Sequence, residues 1–169
     1  MSLRRKIAAA LLSLTLVGAC FGFEIDGFRS GMSVSDAEAV AARLSFDSTV
    51  REGNSIMLSD HPSRLNPRTY SLSFCSGRLS RLQKHINPTF STFVRLVSEE
   101  TQRRGPPTTA WARPSPATSR VEANSVVFVW KENREYLVTE YIEFPANNQV
   151  SLTYEIRNSC WQPPIASDH

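Results

Sequence analysis

The chain has 169 residues, 41% of them hydrophobic, with 7 glycines and 10 prolines. That size and balance suit one compact domain, or two small units sharing a core, and argue against a globally disordered chain. Its net charge of +3 comes from 19 Lys+Arg against 16 Asp+Glu, and Arg4, Arg5 and Lys6 supply the whole excess, so the charge is no argument for a nucleic-acid partner.

Those three cations open the chain. They precede an apolar run from Ile7 to Val17, and Gly18, Ala19 and Cys20 follow. This charged, apolar, small-residue order is that of a bacterial-type export signal. A run from residue 7 to 17 is well short of the roughly 20 residues needed to span a bilayer. Residues 1–19 are therefore expected to be a leader, with cleavage as late as Gly22. The body is expected in the periplasm or at the outer membrane, with secretion as the alternative. Val17-Gly18-Ala19-Cys20 has the form of a lipobox, which makes Cys20 a lipidation candidate. Ordinary cleavage after Ala19 or Gly22 fits as well. Contact with a membrane is expected only through such a lipid.

Loss of the leader leaves 16 cations against 16 anions, unevenly spread. Segment 20–59 has 3 cations and 6 anions, 60–120 has 10 and 3, and 121–169 has 3 and 7. Either these charges interleave on the folded surface, or the basic middle meets an anionic partner.

In chain order, Gly31-Met32-Ser33 reads as a turn leading to a helix over 34–44. Ser33 and Asp36 have capping-box spacing, and Ala37, Val40, Ala41 and Leu44 form one apolar face. Ile56-Met57-Leu58 reads as a short strand. Tyr70, Leu72 and Phe74 alternate with serines, and Ser76-Gly77 turns the chain into a return strand over 78–86. The spacing of Leu79 and Leu82 breaks strict alternation there and admits a bulge. Asn87 as cap and Pro88 at the first position open a second helix over 88–104, with Phe90, Phe93, Val94 and Val97 as its stripe and Gly105-Pro106 as its stop. Residues 105–123 are rich in proline and expected to be irregular. Three strands follow, near 125–131, 136–144 and 150–157. The order implies an α+β fold of two similar units, 20–86 and 87–169. Each has a helix followed by two or three antiparallel strands, and the helices pack on one face of the sheet.

Cys75 and Cys160 lie in the body. In an oxidising compartment they are expected to pair, closing a loop of 85 residues. His61, His85 and His169 show no metal-ligand spacing, and no nucleophile elbow is present. Glu140 and Glu143 fall on opposite faces of a strand, and Glu99-Glu100 reads as a solvated helix surface. The expectation is a protein without enzymatic activity, cofactor or metal. Trp111, in the proline-rich stretch, is the binding candidate; the alternative is that it folds back onto one end of the sheet. Trp130 reads as core, and Trp161 as packing on the disulfide.

Gly31-Met32-Ser33 entering an acidic, Ala-rich helix, then the hairpin Tyr70-Ser71-Leu72-Ser73-Phe74-Cys75-Ser76-Gly77-Arg78-Leu79, resembles the small lipoprotein of the outer-membrane β-barrel assembly machinery. The same helix-plus-strands unit stands twice in tandem in the β-lactamase inhibitory protein, and Arg104-Gly105-Pro106-Pro107 resembles its helix stop. The first helix here lacks that stop, and the second half lacks a Gly-Met-Ser start. The resemblance covers about half the mature chain. It implies a non-catalytic module that binds an envelope or secreted protein, either as a scaffold or as an inhibitor of an enzyme.

Overall fold

The structure is a computed structural model that describes residues 22–115 and 123–160. The expected leader, Cys20, Trp161 and His169 therefore lie outside the described residues. A small hairpin, β1 (Glu24–Ile25) and β2 (Phe28–Arg29), precedes helix α1 (Val34–Leu44). Four strands follow: β3 (Ser48–Glu52), β4 (Ser55–Ser59), β5 (Thr69–Cys75) and β6 (Arg78–Ile86). Helix α2 (Phe90–Arg104) then leads to β7 (Thr109–Ser115), β8 (Ala123–Glu132), β9 (Glu135–Glu143) and β10 (Asn148–Ile156). The eight longer strands form one antiparallel sheet in the order β3-β4-β5-β6-β10-β9-β8-β7. Each helix is thus followed by a four-stranded meander, and β6 against β10 joins the two meanders. No helix among the described residues is long and apolar enough to cross a membrane.

Local chemistry accounts for these elements. Asp26 and Gly27 both have positive φ, 51° and 88°, the two-residue turn that matches the twist of a tight hairpin. At α1, the Ser33 hydroxyl accepts from the Asp36 amide at 3.2 Å and the Asp36 carboxylate accepts from the Ser33 amide at 3.3 Å, closing a full capping box. The α1 end is pinned by Arg68, which donates to the Leu44 carbonyl at 2.9 Å and grips Asp60 through Nε at 2.6 Å and Nη2 at 2.9 Å. The expected bulge is present. Ser73 pairs with Arg81 and Phe74 with Leu79, so Ser80 is the extra residue. That extra residue lets Leu79 and Leu82, three apart, both reach the core.

The main core joins Ala37, Val40 and Ala41 of α1 to Phe28, Leu58, Tyr70, Leu72, Leu82, Leu137, Leu152 and Tyr154. A second cluster joins Phe93 and Leu96 of α2 to Tyr141 and Val150. Cys75 and Cys160 form a disulfide with their Cα atoms 5.6 Å apart, an ordinary separation for a cystine.

Three expectations need correction, and one strand was not expected. Residues 48–52 form β3, fully exposed along its length, so no alternation of buried positions marks it. Residues 109–115 are strand β7 despite Pro114, as an edge strand tolerates a residue without an N–H. The α2 cap is Thr89, whose hydroxyl accepts from the Thr92 amide at 3.1 Å, so Asn87 and Pro88 precede the helix. Its buried positions are Phe93, Leu96 and Glu100, whereas Phe90 and Val94 are about half exposed.

Candidate binding face

Strand pairing sorts the sheet residues into two faces, because side chains alternate along each strand. The core face carries Leu58, Tyr70, Leu72, Leu82, Leu152, Tyr154, Leu137 and Trp130. The second face carries the intervening residues, and the registers put them side by side in three zones.

At the β3 end lie Val50 and Met57, directly paired and 53% and 54% exposed, next to Ser71 and Ser73. In the centre, Arg81, Gln83 and His85 of β6 face Glu155, Thr153 and Ser151 of β10, with Glu140 of β9 opposite Ser151. At the far end Val127, Val129, Tyr136 and Val138 form a third apolar cluster, and Trp111 packs against it. The face therefore runs from exposed apolar groups, through a polar and charged band in which Ser151, Thr153 and Glu155 are buried, to a buried apolar cluster beside half-buried Trp111.

The central band is tightly held. Arg81 Nε stands 3.5 Å from Glu155 Oε2, and the Glu155 side chain is 1% exposed. Burial pulls the Arg81 pKa below its ordinary value, while the negative charges of Glu155 and Glu140 oppose that shift. Burial, and then the positive charge of Arg81, lowers the pKa of His85. A carboxylate buried opposite its guanidinium fixes the β6–β10 register, since a one-residue slip of either strand would put the two charges on opposite faces of the sheet. Breaking such a pair is costly because the remaining charge stays buried.

Strand assignment changes the reading of several residues. Trp111 is not in a loop: it is on edge strand β7, half-buried and opposite Val127. His85 lies inside the sheet, because β6 stands between β5 and β10. Its ring joins the central band. Glu100 is not solvated; its carboxylate accepts from Arg103 at 3.0 Å and from Arg104 at 3.1 Å, and it is buried. Trp130 is core as expected, and its Nε1–H donates to the Gly105 carbonyl at 3.0 Å. His61 sits in the loop after β4, where its ring contacts the Ser63 hydroxyl at 2.8 Å. Cys75 alternates with buried Phe74, so the cystine leaves the sheet on the second face.

The uneven charge of the three segments resolves into cross-links. Cations of the basic middle reach carboxylates of the acidic ends: Lys84 to Asp26 at 3.0 Å, Arg64 to Asp47 at 2.8 Å, Arg81 to Glu155, and Arg104 to Glu132 at 2.8 Å. This favours interleaving over a basic face. A cleft of about 450 Å³ beside Arg103, Arg104 and Lys131 follows the same rule. Glu100 and Glu132 hold both arginines, so the cleft is a paired junction between the end of α2 and β8. Close by, burial pushes the Tyr154 hydroxyl up to about 12, with the negative charge of Glu100 adding to the effect.

Among the described residues, no group of three or more His, Cys, Asp or Glu is placed to hold a metal ion. The central band was hidden in the sequence because its members come from β6, β9 and β10, and their polar positions look like the solvent side of an alternating strand. Comparison with family models, with curated proteins and with solved structures gave no match.

Proposed function

We propose that this protein is an exported module of the bacterial envelope that binds another protein through the second face of its sheet and performs no chemistry of its own. The observation that carries this reading is the zoning of that face. Exposed Val50 and Met57 at one end and Trp111 over an apolar cluster at the other flank a band of paired charges and hydroxyls. Apolar contacts at Val50, Met57 and Trp111 supply affinity at such a surface, while half-buried Arg81, Gln83 and His85 between them supply orientation and select the partner.

Two features of the chain fit this role. The leader-like start of residues 1–19 and the Cys75–Cys160 cystine both suit an oxidising compartment. A helix with a four-stranded meander occurs twice, consistent with two similar units whose helices share one face, leaving the other for recognition. Acylation at Cys20, where it occurs, would hold the module at a membrane surface.

The wide continuous sheet favours a second reading, an inhibitor that occupies an enzyme with this same face. The test is recovery of the protein from fractionated cells, followed by capture of partners from envelope and culture-fluid extracts. An envelope partner lost with Trp111→Ala supports the scaffold reading, and an enzyme whose activity falls on binding supports the inhibitor. Intact protein in the cytosol with Met1 retained would refute export. Labelling with a fatty-acid analogue, compared with Cys20→Ala, decides the lipid: equal label in both proteins excludes acylation at Cys20.

A further inference from the structure

The two outer strands of the sheet are finished differently. β7 includes Pro114, and Pro106 and Pro107 stand just before it, the usual way to deny a sheet edge to another strand. β3, Ser48-Thr49-Val50-Arg51-Glu52, contains no proline, and all five of its residues are exposed. We propose that β3 is a self-association edge. Two copies of the chain pair β3 antiparallel about a two-fold axis through Val50, joining their sheets into one. This inference rests on the geometry of the edge alone and not on the binding role of the second face.

The backbone of β3 is already set for this pairing. Phe74 donates its amide to the Asn54 carbonyl at 2.8 Å, and Asp60 donates to the Arg68 carbonyl at 2.8 Å. The even-numbered residues of β4 therefore bond toward β5, and Ser55, Met57 and Ser59 bond toward β3. Their partners Glu52, Val50 and Ser48 spend their backbone groups inward, and Thr49 and Arg51 direct theirs outward. The tight turn at Gly53, with φ of 53°, agrees, since a two-residue hairpin closes on a bonded pair, here Glu52 with Ser55.

With the axis at Val50, Thr49 and Arg51 of one copy exchange N–H and C=O bonds with Arg51 and Thr49 of the other. All five residues pair. Val50 meets Val50 at a non-bonded position, where Cα atoms approach to about 4.5 Å. With Met57 beside each of them, the two copies make one apolar strip on the second face from residues that are otherwise half exposed. Ser48 faces Glu52 and can donate to its carboxylate, so no like charges are opposed. Arg51, held toward Glu38 at 3.5 Å, faces Thr49. Moving the axis to Arg51 would set two guanidinium groups against each other, which is unfavourable. Moving it to Thr49 would set Arg51 and Glu52 against Asp47 and Phe46, which lie outside β3 and are already engaged by Arg64 and by the core. The strand is complementary to itself in one register, and this selects a second copy over a foreign strand.

A strand pair of this length is small for an interface, so the dimer is expected to be weak and concentration-dependent. Sedimentation velocity of the purified protein over a concentration series should show a reversible monomer–dimer equilibrium. Val50→Lys and Val50→Glu, each at an exposed site, should weaken self-association on the order of tenfold or more by opposing like charges, while an equimolar mixture of the two variants should restore the dimer. That restoration separates the contact from a folding defect. Arg51→Pro, which removes an outward N–H without touching the β4 ladder, should also weaken it. A protein that stays monomeric at every concentration would overturn the proposal. So would a dimer indifferent to Val50→Lys, or a mixture that fails to recover.

Discussion

On the core face, Leu58, Tyr70, Leu72, Leu82 and Leu137 are each no more than 2% exposed. The residues between them on the same strands are Met57, Ser71, Ser73, Arg81, Gln83 and Tyr136, of which Met57 is exposed, the next four half-buried and Tyr136 buried. One set of backbone hydrogen bonds holds both faces, so the difference lies wholly in the side chains. The core face is built for stability and tolerates no loss of volume. The second face is graded from apolar to charged to apolar. Substitutions should therefore separate by face and exposure, with changes at core-face and buried second-face residues read in stability and changes at exposed second-face residues such as Met57 read in recognition.

The largest effect tests what ties the chain end to the second face. Replacing Cys75 and Cys160 by serine should lower unfolding stability by roughly 4 kcal/mol, the scale for a loop of this length, read by urea denaturation against the oxidised protein. An unchanged midpoint would mean that the crosslink is absent or the unfolded state is already constrained. Next, Leu82→Ala on the core face should cost about 3 kcal/mol through lost burial and a residual cavity, whereas Met57→Ser on the second face should stay within about 0.5 kcal/mol. Equal losses at the two sites would break the comparison of faces. Removing the α1 cap with Ser33→Ala should cost about 1 kcal/mol, measured in the same way.

Two titrations sharpen the core-face account. Asp60 is held at about 2 by its hydrogen bonds and charge pairing with Arg68, with burial opposing. A carboxylate lowered on folding stabilises above its unfolded value, so that contribution should fade as pH drops from about 4 to 2, and Asp60→Asn should flatten the loss. Tyr154, raised to about 12 by burial, has the opposite sign. Its contribution is complete below about 10 and should fall as pH rises from about 10 to 12, because the unfolded tyrosine ionises first. Tyrosinate absorbance should show a late-titrating group that Tyr154→Phe removes.

Elements with local signals were legible in the sequence. The Ser33–Asp36 capping box marked α1 to the residue, and alternation with the Ser76-Gly77 turn marked β5 and β6. The bulge followed from two leucines three apart. Elements whose cause is remote were not legible. β3 has one strongly apolar residue and no buried side, and the prolines around β7 look like loop until β8 supplies the edge it pairs with. Asn87 is the stronger cap residue by type, yet Thr89 caps α2. Glu100 faces inward because Arg103 and Arg104 neutralise it, a relation that no hydrophobic period encodes. The disulfide partners were legible from number, since the chain has two cysteines beyond Cys20. The central band of the second face was not, because Arg81 and Glu155 meet only when β6 pairs with β10.

The most direct measurement is a scan with a photo-activated crosslinking amino acid in the full chain, in intact cells. It would be placed in turn at Met57 and Gln83 on the second face and at Glu38 and Glu99 on the helices. The account predicts adducts to a common envelope protein from Met57 and Gln83 and none from the helix positions. Adducts from Glu38 and Glu99, with none from the sheet positions, would contradict it and move recognition to the other side of the molecule.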